Sequence, residues 1–167
     1  FEIKEKASYL FNLAIQQVDK VHSTRAMAFI IKSLYYANAK QKTKSYSELI
    51  TTFANRLVQM YKHETSANWH WFENYLTYGN SVIPEALLCA WLDSGKPEYR
   101  DIAIITFDFL LLKTMPNKSL QLISNKGWLH KGEESLRCDK GGEQPIDAAY
   151  TAMALDRFYR ILKNYHY

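Results

Sequence analysis

The sequence is poor in the residues that mark several whole classes of protein. Among its 167 residues are two cysteines, six glycines and four prolines. Two cysteines cannot staple a disulfide scaffold. Ten Gly plus Pro are too few for the tight turns of an all-β protein. The longest apolar stretch, Ile102 to Leu112, is broken by Thr106 and Asp108; it falls well short of the roughly 20 residues that cross a bilayer. No signal-peptide pattern opens the chain, which begins Phe1-Glu2-Ile3-Lys4, so a cytoplasmic setting without a membrane is the expectation. Absence of an initiator Met points to a processed product, an excised domain or a fragment. Lys plus Arg number 21 against 17 Asp plus Glu, a net charge of +4. That excess is too small and too dispersed to suggest nucleic acid, and the Lys40-Gln41-Lys42-Thr43-Lys44 run reads as a solvated loop.

What the chain does have is apolar residues (47%) and aromatics (14%), enough to bury a core and exclude disorder. Their spacing predicts six helices. The first carries Leu10, Leu13, Ala14 and Val18 on one stripe and runs to about Lys20. A second spans about Ser23 to Ala39. The third, opened near Ser45 or Ser47, places Tyr46, Leu49, Ile50, Phe53, Leu57 and Met60 at three- and four-residue steps. The fourth runs from Asn80–Pro84 to Leu92 and is stopped by Asp93-Ser94-Gly95. The fifth runs from Pro97 to about Lys113, and the sixth from Gln144-Pro145 to about Asn164, each with proline in its first turn. Long connections cover Lys62 to Gly79 and Thr114 to Glu143. Cys89 sits in an apolar run and Cys138 in a polar loop.

Helices two, four and six are rich in alanine: Ala26, Ala28, Ala37 and Ala39; Ala86 and Ala90; Ala148, Ala149, Ala152 and Ala154. Small side chains permit close helix approach, so these are expected to form an inner layer with the amphipathic odd helices outside. Arg25-Ala26, Glu85-Ala86 and Asp147-Ala148 recur about 60 residues apart in the opening turns of the even helices. The predicted fold is all-α: three hairpins of alternating outer and inner helices. If the inner helices run parallel, Arg25, Glu85, Asp147 and the aromatic loop at 69–78 share one mouth.

Two segments carry the candidate chemistry. Trp69-His70-Trp71-Phe72-Glu73-Asn74-Tyr75-Leu76-Thr77-Tyr78-Gly79-Asn80 interleaves aromatics with Glu and Asn, as a sugar platform requires: pyranose faces stack on rings while amides and carboxylates hold hydroxyls. Buried packing of Trp69, Trp71 and Phe72 is the competing reading. In Gly141-Gly142-Glu143-Gln144-Pro145-Ile146-Asp147-Ala148 the glycines turn the chain and Asp147 falls in a first helical turn, favourable for a carboxylate. Glycoside hydrolysis needs two carboxylates flanking the scissile bond, and Glu85, Asp147 and Glu73 are the candidates. Trp69, Trp71 and Tyr78 are the stacking candidates; Asn80, Gln144 and Arg25 are the polar binding candidates. The five histidines show no metal-ligand spacing on a helix, so neither metal nor cofactor is expected. Acid clusters, phosphate loops and nucleophile elbows are absent from the sequence.

The same two segments resemble a bacterial family of α/α-toroid domains, related to six-hairpin glycosidases and found joined to or encoded beside glycosyltransferases. The family pattern reads W-x-W-F-E-x-x-L-T-Y-D-N-A-x-L-P-x-A-L, then D-Q-Q-P-I-D-A. Trp69, Trp71, Phe72, Glu73, Leu76, Thr77, Tyr78, Asn80, Pro84, Ala86 and Leu87 match the first part; Gln144, Pro145, Ile146, Asp147 and Ala148 match the second. His22-Ser23-Thr24-Arg25-Ala26 resembles the start of an earlier inner helix. The resemblance implies half of an α/α toroid, spanning residues 1–167 as one domain of a longer chain, and a glycan at the inner-helix N-termini. A glycosyltransferase module or a second copy would complete the ring; a non-catalytic scaffold is the alternative role. Gly79 replaces the family Asp, and Gly142-Glu143 the Asp-Gln before Gln144, so any chemistry those acids perform in relatives is missing.

Overall fold

The computed structural model describes residues 2–133 and 141–167. Cys138 lies outside them. The described residues are mainly helical: α1 (Glu2–Ile15), α2 (Thr24–Lys40), α3 (Lys44–Glu64), α4 (Val82–Ser94), α5 (Pro97–Thr114) and α6 (Pro145–Leu162). Short 3-10 turns occur at Val18–Lys20 and Pro116–Lys118. None of these helices is long and apolar enough to cross a membrane.

Local signals set the boundaries. Ile50, Phe53, Ala54, Leu57 and Val58 are buried on one stripe of α3, the three-four repeat of a helix with one wet face. Gly95 ends α4 in the left-handed region at φ 73°, donating its N–H to the Trp91 carbonyl at 2.7 Å, a conformation that glycine adopts without steric penalty. Pro97 and Pro145 each take the first position of their helices.

α4 is the axis of the fold. Every residue from Val82 to Ala90 is buried, because α2, α3, α5 and α6 all pack on it. Cross-contacts set the directions. Arg25–Asn80, Lys32–Glu85 and Asn38–Asp93 are paired in rising order along α2 and α4. Gly79–Asp147 and Cys89–Arg157 are likewise ten residues apart on both sides. Phe29–Tyr150 and Tyr36–Arg157 are seven apart on both. α2, α4 and α6 therefore run parallel, their N-termini at one end. Tight turns reverse the chain into α3 and α5. Ala28, Ala86, Ala90 and Ala154 are fully buried, which lets the backbones approach, while Ala39, Ala149 and Ala152 face solvent.

Two elements depart from the sequence expectations. The first helix stops at Ile15 rather than Lys20 and has no buried residue. Its Leu10 and Leu13 are 63% and 46% exposed; Phe11 stands 5.9 Å from the Tyr46 ring of α3, and Phe11 and Ile15 pack partly buried against the core. The long connections also contain a ladder, β1 (Tyr75–Leu76) pairing antiparallel with β2 (Leu129–His130), Tyr75 opposite His130. Two-residue strands have no periodicity to detect.

Candidate functional site

Arg25, in the first turn of α2, gathers the helix-start end of the molecule. Its Nε donates to the Tyr78 carbonyl, Nη1 to Glu73 Oε2 at 3.0 Å, and Nη2 to Asn80 Oδ1 at 2.9 Å. Thr24 adds its hydroxyl to Glu73 Oε1 at 2.7 Å. Arg25 and Glu73 side chains are only 11% and 13% exposed, so this is a largely desolvated pair held by further hydrogen bonds, the arrangement a buried charge requires. Asn80 closes a local turn, accepting from the Thr77 N–H at 3.1 Å and donating to the Thr77 carbonyl at 2.7 Å. The turn explains why Arg25 finds its acceptors in place.

Gly79 sits inside that turn at φ 58° and donates its N–H to Asp147 Oδ1 at the start of α6. Asp147 Oδ2 is buried with no hydrogen-bond partner among the described residues, as is Ser81 Oγ. Both residues line a pocket of about 20 Å³, room for about one water molecule. Burial pushes the Asp147 carboxyl above the usual aspartate range, against the opposing pull of the Gly79 N–H and the Arg25 charge.

Outside this hub lies a cleft of about 540 Å³, lined by His22, Ser23, Thr24, Arg25, Glu73, Tyr75, Thr77, Tyr78, Trp128 and His130. Tyr78 is 49% exposed and stands 5.3 Å from the Arg25 guanidinium, ring centroid to Cζ. Trp128 faces it with centroids 6.2 Å apart. Trp128 has φ 53°, a left-handed backbone that is costly for a bulky residue. The β1–β2 ladder holds the following residue against Leu76 and so fixes the indole at the cleft.

The sequence candidates thus divide. Arg25, Glu73, Tyr78 and Asn80 come together, with Asp147 joined through Gly79. Glu85 does not join them. It is 2% exposed in the first turn of α4, where Lys32, two turns along α2 from Arg25, donates its Nζ to Glu85 Oε2 at 2.5 Å. Trp69 and Trp71 do not stack at the cleft either, because both are core residues, 2% and 0% exposed, packed on Phe109 of α5. Trp69 Nε1 donates to the Glu73 carbonyl at 2.7 Å, so it supports the carboxylate from behind. Gln144 occupies the N-cap of α6 without a side-chain capping bond. Trp128, Tyr75 and His130 escaped the sequence analysis as site residues; for Trp128 the Gly127-Trp128 pair is the one local hint. Among the described residues no three His, Cys, Asp or Glu side chains converge as metal ligands. The chain matches no family model, no curated protein and no solved structure.

Proposed function

We propose that this chain is a glycan-binding domain, built as three hairpins of a half α/α toroid, that takes its sugar in the cleft lined by Tyr78 and Trp128. The observation that carries the reading is a half-exposed Tyr78 ring beside a partly buried Trp128, standing over a polar floor whose shape is fixed by Arg25. A pyranose stacks its C–H face on such rings and offers its hydroxyls to the polar groups below. Likeness of the 69–87 and 144–148 segments to a glycosyltransferase-associated family supports the same class of ligand.

Binding is favoured over hydrolysis. Glu73 is tied to Arg25 and Thr24, Glu85 to Lys32, and Asp147 lines the small internal pocket rather than the cleft, so these three candidates do not form a free pair of carboxylates that could flank a bond. The test is a glycan array read by tryptophan fluorescence and calorimetry. Tyr78→Ala and Trp128→Asn should each weaken binding about five- to tenfold with the melting temperature kept. Variants that bind as wild type, or glycan turnover abolished by Glu85→Gln, would overturn it.

A second reading, an interaction domain seated on a glycosyltransferase module or a second copy, draws on different residues. α1 exposes Ile3, Leu10 and Leu13, and α6 exposes Ile146 and Met153, apolar side chains that the described residues leave uncovered. Sedimentation of wild type against Leu10→Gln/Met153→Gln tests it: a dimer dispersed by the substitutions favours self-association.

A further inference from the structure

We infer that the glycan is an oligosaccharide laid along a groove, with the Tyr78–Trp128 cleft as one of several subsites; the inference rests on the glycan-binding reading and goes beyond it to the ligand's length. The cleft does not end at its own walls. Glu73 and Tyr75, which line it, also line a second depression of about 600 Å³ together with Asn74 and with Gln59, Met60 and His63 of α3. Gln59 and Met60 line a third, of about 400 Å³, with Asn55 and Arg56. His22 is common to that third space and the cleft. Each is large enough to take a small ligand, and three such spaces sharing walls suit successive units of a chain.

α3 supplies the extension. Asn55, Gln59 and His63 are exposed and stand four residues apart, so they line up on one face of the helix; from 55 to 63 that row extends about 12 Å. The side-chain amides of Gln59 and Asn74 make no hydrogen bond to another described residue. Asn55 uses only its oxygen, which accepts from the Tyr99 hydroxyl at 2.6 Å. An amide donates and accepts at once, and so does a sugar hydroxyl, which makes the two natural partners. Met60, partly buried beside them, offers an apolar surface to the C–H face of a ring. Charged groups along the groove are engaged already: Glu73 with Arg25 and Thr24, Glu64 with Lys131 at 3.9 Å, and Arg56 with the Val21 carbonyl at 3.2 Å. Recognition of the added sugar units therefore falls to the amides.

Calorimetry and ligand-observed NMR with oligomers of glucose, mannose, N-acetylglucosamine and galacturonate, from the monosaccharide to the hexasaccharide, test the inference. For the sugar that binds, the longest chain should be held at least about tenfold tighter than the monosaccharide, the yield of one or two further net hydrogen bonds. Gln59→Ala/Asn74→Ala, at exposed positions outside the cleft, should abolish that gain with monosaccharide affinity and melting temperature kept. Tyr78→Ala should weaken every length. Affinity that does not rise with length would overturn the inference and leave the glycan-binding reading standing. So would a gain that survives Gln59→Ala/Asn74→Ala, since it then reflects the many registers of a long chain on a single subsite. A panel on which nothing binds would remove both.

Discussion

The Lys32–Glu85 pair shows how a single contact decides what a residue can do. Lys32 is 8% and Glu85 2% exposed, and a buried ion pair is stable only while both partners are present. Glu85→Ala should therefore cost about 3–5 kcal/mol in urea unfolding, while Lys32→Met/Glu85→Leu together should stay near wild type. Asp147 has the opposite electrostatic sign. Its carboxyl is raised in the folded state, so the folded protein prefers the protonated form; that preference is fully present below the unfolded aspartate pKa and is lost as pH rises through the folded value. Asp147→Asn keeps an acceptor for the Gly79 N–H and carries no charge to bury. Its stability relative to wild type should accordingly be higher at pH 7 than at pH 3, read as the difference in unfolding midpoint. Cys89 is fully buried and its thiol is pushed up to about 11, mainly by burial. In native protein it should resist alkylation, reacting on unfolding when followed by mass spectrometry of its peptide.

Helices state their own ends more clearly than their surroundings. The stripe Ile50, Phe53, Leu57 was readable because the periodicity that predicts α3 is the burial it shows, and Pro97, Pro145 and Gly95 punctuate their helices as their backbone preferences dictate. α1 has a comparable stripe, yet Leu10 and Leu13 point to solvent; pattern reports amphipathicity and is silent on what covers it. Leu10→Gln should therefore change the stability of the isolated chain by less than about 0.5 kcal/mol, a null result that denaturant titration can check. Trp69 and Trp71 were legible as an aromatic cluster, but burial depends on Phe109, 38 or more residues downstream. The Lys32–Glu85 and Trp128–Tyr78 contacts were beyond reach for the same reason, being long-range. The β1–β2 ladder was too short to leave any mark in sequence.

At the scale of the molecule, the parallel run of α2, α4 and α6 brings residues 25, 73–80 and 147 to one end, while Glu85, the middle member of the repeat of opening turns, is held apart by Lys32. Gly79 is the pivot of that junction. A Cβ added there would meet only Arg25 Cδ, at 4.0 Å, with φ at +58°, and Asp tolerates the left-handed region better than most residues. Gly79→Asp should fold with a loss of about 1 kcal/mol measured by chemical denaturation. The junction also bears on how the chain matures. The Gly79 N–H has its acceptor on a side chain 68 residues further on, so a ribosome must release the start of α6 before that hydrogen can be shielded. Deuterium uptake at this one amide would consequently time the arrival of the last helix, both as the protein is made and each time it opens.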